Sequence, residues 1–290
     1  MNTQVASASA LTPDQKALIA SLAAPDVAGK PLPPIKLVQS NSPELLDSPD
    51  NEMFLPGAVA GGFVIPNREG RIFQPSPPGI QFGIFAWATS WNVFEKRPDG
   101  NNQRIATLTE KPVDAVWRDD AFGKRVCLND DGHTVIETLS AYMRLRNGQV
   151  GRYDFAKTAL RIGNELATRS QRLSVKDGEL KGSILGLFQL TTRLEVQGAR
   201  RWFLPVPVLL GKLGEKHGPS TADVVALATL RHAFKEGAPL PELPEPPVIV
   251  EPARQAGPRP VITSGRQEPP PAPPPSEYAG PSEIDDDIPF

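Results

Sequence analysis

Tyr142, Arg144, Arg146, Arg152 and Tyr153 crowd two rings and three guanidinium groups into one short stretch of chain. Over Val135 to Arg146 the side chains alternate. Leu139, Ala141, Met143 and Leu145 fall on one face of a strand, and Ser140, Tyr142, Arg144 and Arg146 on the other. Asn147-Gly148 is the clearest short hairpin signal in the chain, because both residues tolerate the positive φ angles of a tight turn. The hairpin it predicts would bring Arg152 and Tyr153 across from that second face. Rings offer surfaces for stacking and guanidinium groups offer fixed cations. The complementary ligand has exposed π faces and regularly spaced negative charge, as a single nucleic-acid strand does, with stacking contributing about 1–3 kcal/mol per base. The same residues would serve equally as barrel-rim rings and a solvated basic face.

Two further groups have similar chemistry. Ile80 to Phe94 is the most aromatic run. Strict alternation there sets Phe85, Trp87 and Trp91 on one face against Phe82, Ile84, Ala86 and Ala88 on the other, with Lys96 and Arg97 at the end. Trp87 and Trp91 are candidates for a binding groove if only the other face is core, and core residues themselves if both faces are covered. Arg200-Arg201-Trp202 follows a Gln197-Gly198 turn, with Arg193 on the preceding strand. That places cations and a ring around one hairpin end.

The sequence carries no comparable case for catalysis. His133, His217 and His232 lack metal-ligand spacing, and Cys127 is the single cysteine. Gly211 to Gly218 is glycine-rich but lacks the Gly-Lys-Ser/Thr ending of a phosphate loop. Asp119-Asp120 and Asp130-Asp131 could pair carboxylates around a metal for nuclease work, yet such pairs fit turns better. We expect no catalytic residue, no metal and no cofactor.

The elements that must position these residues are mostly strands. Alternation and breakers predict strands at Ile35–Gln39, Gly62–Pro66, Ile80–Phe94, Arg104–Leu108, Ala115–Arg118, Val135–Arg146, Val150–Tyr153, Leu185–Val196 and Trp202–Val206. Asp154 to Arg172 has helical spacing of Ala156, Ala159, Leu160, Gly163, Leu166 and Ala167. Ser220 to Lys235 opens on a capping signal and buries Val224, Val225, Leu227 and Ala228. A further short helix is expected from Thr12-Pro13-Asp14-Gln15. Together these predict a mainly β (α+β) fold: a Greek-key barrel like the oligonucleotide-binding (OB) fold, with insertions, peripheral helices and a disordered Pro-rich C-terminal tail. An antiparallel sandwich with peripheral helices fits nearly as well.

Composition divides the chain. Positions 238–290 hold 16 of the 33 prolines, and nine acids against three arginines. Such a segment offers little apolar surface to offset its ordering entropy. The formal net charge of -2 therefore hides a body of +4, in which His133 to Lys216 alone carries +7. A basic body suits a polyanion, and an acidic tail suits a basic partner surface. The expected organisation is a helical arm over 1–29, a binding body over 30–237, a disordered linker over 238–284 and an acidic segment over 285–290. No run is long and apolar enough to span a bilayer, Met1-Asn2-Thr3-Gln4 does not open like a signal peptide, and one cysteine suits a reducing compartment. A cytoplasmic location is expected.

Asp285-Asp286-Asp287-Ile288-Pro289-Phe290 has the makings of a docking hook. Ile288 and Phe290 can fill an apolar pocket, Pro289 limits the conformations lost on binding, and the carboxylates can meet cations around the pocket. A linker of roughly 45 residues would give the hook a reach of tens of ångströms. These six residues resemble the acidic tip of bacterial single-stranded DNA-binding proteins, whereas the plan of a large body with an acidic, Phe-ending tail resembles the phage-type proteins. The resemblance covers the tip and the style of the tail, not the body. It implies a protein that coats single-stranded DNA in replication, recombination or repair and recruits enzymes of those processes through its tip. If phage-encoded, it would work in the bacterial host cytoplasm. RNA polymerase is a further candidate partner, and a homo-oligomer is open. The alternative is a phage adaptor, a transcription or replication cofactor that docks on host enzymes and touches DNA incidentally.

Overall fold

The computed structural model describes residues 12–13, 32–48, 51–67, 70–98, 102–119, 125–175 and 180–241. The expected helical arm, apart from Thr12 and Pro13, lies outside these residues, as do most of the Pro-rich linker and all of Asp285 to Phe290.

The fold is mainly β, built on a strongly curled antiparallel half-barrel sheet. In chain order the strands are β1 (Lys36–Leu37), β2 (Phe63–Asn67), β3 (Gly70–Gln74), β4 (Ile80–Lys96), β5 (Asn102–Leu108), β6 (Val116–Asp119), β7 (Arg125–Leu128), β8 (Thr134–Leu145) and β9 (Val150–Ala156). Helix α1 (Leu160–Gln171) follows, then β10 (Ser174–Val175), β11 (Leu180–Lys181), β12 (Gly186–Gln197), β13 (Arg200–Lys212) and helix α2 (Thr221–Lys235). Strands β1 to β3 form a small sheet, β10 and β11 a two-stranded one, and the large sheet runs β13-β12-β4-β8-β7-β6.

The spine is the antiparallel pair β4–β8, matched from Phe82↔Leu145 to Phe94↔Thr134. Each spine strand is longer than its outer neighbours, so its free side is shared. At its start β4 pairs with β12, and at its end with β5. On the far side, β8 pairs with β7 through Leu128↔Thr134 and with β9 over Thr138 to Arg144. This sharing lets one sheet curl instead of remaining flat.

Turn chemistry fixes the hairpins as the sequence suggests. Between β8 and β9 only Gly148 is left-handed, at φ +88°, and the Leu145 N–H donating to the Gln149 C=O at 2.7 Å closes a three-residue loop, Arg146 to Gly148; Gly198 has φ +60° between β12 and β13. Only the first central residue of that second turn is left-handed, the pattern of a type II′ hairpin that keeps Gln197 opposite Arg200.

Two differences from the sequence reading matter for the site. Between Ile84 and Ala86 the β4–β8 register shifts, so Phe85 is an extra residue, a β-bulge. Alternation slips there. Trp87 joins Phe82 and Ile84 on the inner face, while Phe85 and Ala86 go to the outer face. The tryptophan is thus on the face opposite to the one strict alternation assigns. The predicted helix at Asp154 starts later, because Phe155 continues the inward alternation of Tyr153 and keeps β9 extended to Ala156.

The two faces carry two cores. The inner core, under α1, holds Phe63, Phe82, Ile84, Trp87, Met143, Tyr153, Phe155 and Phe188. The outer core lies under α2, where Val224, Leu227, Leu230 and Phe234 pack on Phe85, Ala86, Tyr142 and Leu185. Gly83 permits this docking, since a Cβ there would sit 2.5 Å from Leu227 Cδ1. Helix α2 begins at the expected capping box: Ser220 Oγ accepts from the Asp223 N–H, and the Ser220 N–H donates to the Asp223 carboxylate. No helix among the described residues is long and apolar enough to cross a membrane.

Candidate nucleic-acid interface

Residues paired across an antiparallel ladder point to the same face, so the register sorts every candidate. Tyr142 is opposite Ala86 and Arg152, and Arg144 is opposite Gly83. Tyr142, Arg144 and Arg152 therefore share the outer face, as the hairpin predicts. The face is not open at this point. Tyr142 is 5% exposed and its ring centroid lies 4.4 Å from that of Phe234 on α2. Burial pushes its phenol pKa up, and the Arg152 guanidinium partly offsets that. Arg144 is 8% exposed and its Nη1 sits 3.1 Å from Asp223 Oδ1. Arg152 pairs with Asp154 at 2.9 Å, and Ser140 donates to the same carboxylate at 2.7 Å. This part of the hairpin is thus a dock for α2 rather than a groove for a ligand, and Arg144 and Arg152 are matched by carboxylates of the same chain.

Tyr153 and Trp87 are corrections of a different kind, because both point into the inner core. Tyr153 lies opposite Ala141 and packs edge-on against Phe155 at 4.8 Å and Phe63 at 6.3 Å. Burial and the neighbouring Asp154 charge raise its pKa far above the usual value. Trp87 packs on Phe155 at 6.3 Å. A base cannot reach either ring without opening the barrel.

Trp91, Lys96 and Arg97 belong to the far end of β4, where β5 is its neighbour. Trp91 is half-buried against Ala115, Cys127 and Val135, with the Lys111 ammonium 5.7 Å from the ring centroid. Burial raises the Cys127 pKa, and the thiol is covered. Lys96 and Arg97 are exposed, and Arg97 Nε donates to Gln103 at 2.7 Å. This group is not brought together with the hairpin at the other end of the strand.

An open basic face does form on β12 and β13. Gln81 of β4 lies opposite Gln189, Gln189 opposite Val208, Arg193 opposite Leu204, Glu195 opposite Trp202 and Gln197 opposite Arg200. Since Phe188 and Leu190 point into the inner core, all these residues take the outer face. Arg193, Trp202 and Arg200 are therefore neighbours on one surface. Arg146, whose Nη1 donates to Gln81 Oε1 at 2.7 Å, continues that surface at the base. From Gln189 to Gln197 it extends about 26 Å at ~3.3 Å per residue. Arg193 and Arg200 are exposed, and Trp202 is half-buried with no hydrogen-bond partner for its indole N–H among the described residues. Arg193 is held by Glu195 at 2.6 Å, a contact that a phosphate would have to replace. Arg201, opposite Val196, points to the other face and does not belong to the group.

The strands beyond Leu190 leave β4 and form a two-stranded arm, steadied on its inner side. Gly61 lets the Phe203 ring approach to where a Cβ would stand 2.7 Å away. Gln39 offers its side-chain amide as a substitute strand: Phe203 N–H donates to its Oε1 at 2.8 Å, and its Nε2 donates to Phe203 C=O at 2.9 Å.

Sequence reasoning missed Trp117. It lies on β6, half exposed on a strand whose four residues all face solvent. The Ala115–Arg118 run predicts a strand, but nothing in it separates a surface tryptophan from a core one. Among the described residues no three His, Cys, Asp or Glu side chains gather as metal ligands. In comparison with known proteins, the chain matches no family model, no curated protein and no solved structure.

Proposed function

We propose that the chain is a single-stranded DNA-binding protein that acts without catalysis, and that its Asp285–Phe290 segment recruits replication, recombination or repair enzymes. The observation that carries the DNA-binding half is the strand register that sets Arg193, Trp202 and Arg200 side by side on an open face, continued by Arg146. A ring for stacking between cations for phosphates is what a single strand needs, and its sequence tolerance follows because every base has a π face. The curled mainly β body is compatible with the OB-like class in which such surfaces recur. The recruitment half rests on the acidic, Ile-Pro-Phe-bearing segment and the proline-rich stretch before it.

The test is fluorescence anisotropy of labelled oligothymidylate titrated with the full chain over a range of salt. The proposal expects tight binding at low salt that weakens linearly on a log–log plot, with a slope of about 0.7 per phosphate contacted. Deleting 285–290 should leave this binding intact or tighten it while abolishing capture of the partner enzymes. An adaptor with incidental DNA contact would show only the second effect.

A further inference from the structure

From Trp202 to Leu210, β13 is apolar on both faces, the pattern of a strand covered on both sides. On the outer face the register sets Trp202, Leu204, Val206 and Val208 in one row, opposite Glu195, Arg193, Thr191 and Gln189 of β12. The β13 row is aromatic or aliphatic throughout, and the β12 row is polar throughout. Leu204, Val206 and Val208 belong to neither core, and Val208 is 46% exposed. The polar row continues through Gln81, opposite Gln189, to Arg146, which donates to Gln81. Its single carboxylate, Glu195, is held by Arg193, and Arg200 closes the outer end opposite Gln197. The outer face of the arm is thus an apolar lane with a basic lane beside it.

We infer that the apolar lane seats the bases of a single strand running lengthwise along the arm, with its phosphates over the basic lane. The inference rests on the proposed DNA binding and adds the path of the strand and three contact residues, Leu204, Val206 and Val208. A single strand has the matching two-sided chemistry, with flat apolar bases on one side and regular negative charge on the other. Residues of one row are about 6.6 Å apart, comparable to the length of one extended nucleotide, so Trp202 to Val208 takes about four nucleotides. A strand laid across the arm would instead set phosphates on Leu204 and Val206, where no cation stands. The lane is also tolerant of base identity, because it is aliphatic beyond Trp202, whose indole nitrogen is buried. A peptide strand fits the place poorly. Gln39 occupies the outward N–H and C=O of Phe203, and Pro205 and Pro207 follow at alternate positions of this edge with no N–H to donate.

The test uses the full chain and a triple variant, Leu204→Thr, Val206→Thr and Val208→Thr. Threonine keeps the strand propensity but sets hydroxyls where seated bases would desolvate them. Two labelled probes are titrated by anisotropy over a range of salt: oligothymidylate, and an abasic oligomer of the same length and charge. The variant should bind oligothymidylate at least about tenfold more weakly with an unchanged salt slope, and the abasic oligomer as the wild type does. Equal affinity of the two proteins for oligothymidylate, or an equal loss with both probes, would overturn the inference and leave DNA binding standing. No oligothymidylate binding by the wild type at low salt would remove both. Circular dichroism checks the fold. If the triple variant is unfolded, Val208→Thr alone, at the most exposed position of the lane, should lose about fourfold with oligothymidylate only, the share of one methyl. A wild-type dimer in sedimentation that the substitutions dissociate would mean that a second copy covers the lane, and would also overturn the inference.

Discussion

Replacing Arg144 by Met separates a structural cation from a ligand-binding one. The guanidinium is almost wholly buried, and its Nη1 is 3.1 Å from Asp223, the residue that also caps α2. A pair exposed on both sides contributes under about 1 kcal/mol, whereas breaking a fully buried one costs about 3–5 kcal/mol. Here Arg144 is 8% and Asp223 43% exposed, so water still reaches one partner and the expected loss is about 1–2 kcal/mol. The unbranched Met side chain, though shorter than Arg, keeps most of the apolar stem, which leaves the lost pair as the main term. In a body of this size each kcal/mol lowers Tm by about 2–4 °C, giving a fall of roughly 2–8 °C. Thermal melting by circular dichroism reads this directly, and oligothymidylate anisotropy on the same sample should show unchanged affinity and salt slope. The reasoning would be refuted by an unchanged Tm together with a loss of about tenfold in affinity, or about 1.4 kcal/mol. That result would mean α2 leaves Arg144 open to the strand.

The other expectations follow from the same geometry. Trp202→Ala should weaken oligothymidylate binding by about 1–3 kcal/mol, the range for one stacked base, with little change in melting. Arg193→Ala with Arg200→Ala should lower the salt slope by about 1.4, two phosphate contacts at ~0.7 each. Trp87→Ala, by contrast, should cost about 3–5 kcal/mol of stability in urea denaturation and leave the salt slope untouched. Gln39→Leu strips both partners from the Phe203 backbone and should cost about 1–3 kcal/mol in the same assay. Tyr142 and Tyr153 have raised pKa values, so above about pH 10 the unfolded state loses protons that the folded state keeps. Stability should be fully present below that pH and fall as pH rises, with the tyrosinate absorbance of Tyr153 appearing as the protein unfolds.

The sequence was most informative where the physics is local. Alternation through β8, the Asn147-Gly148 and Gln197-Gly198 turns and the Ser220–Asp223 cap need only neighbouring residues, and each is present where the residues indicate. It failed where distant parts decide. Alternation in β4 cannot reveal that Phe85 is one residue too many for its partner strand, and that single bulge moves Trp87 to the inner core. The basic face of β8 looks solvated until a helix 79 residues away supplies Asp223. Arg193 and Arg200 are separated by a turn whose register alone places them with Trp202, while Arg201, adjacent in sequence, is on the other side. Strands β3 and β7 are not among the predicted strands although β2 and β6, of the same lengths, are, so length alone does not decide which short strands are legible.

The central claim is that the outer face of the β12–β13 arm holds a single DNA strand. The most direct measurement compares oligothymidylate affinity at low salt between the wild-type chain and an Arg193→Glu, Arg200→Glu, Trp202→Ala variant of unchanged melting temperature. The account predicts tight, salt-sensitive binding by the wild type and its loss in the variant. Equal affinity in the two, or no binding by the wild type at low salt, would contradict it.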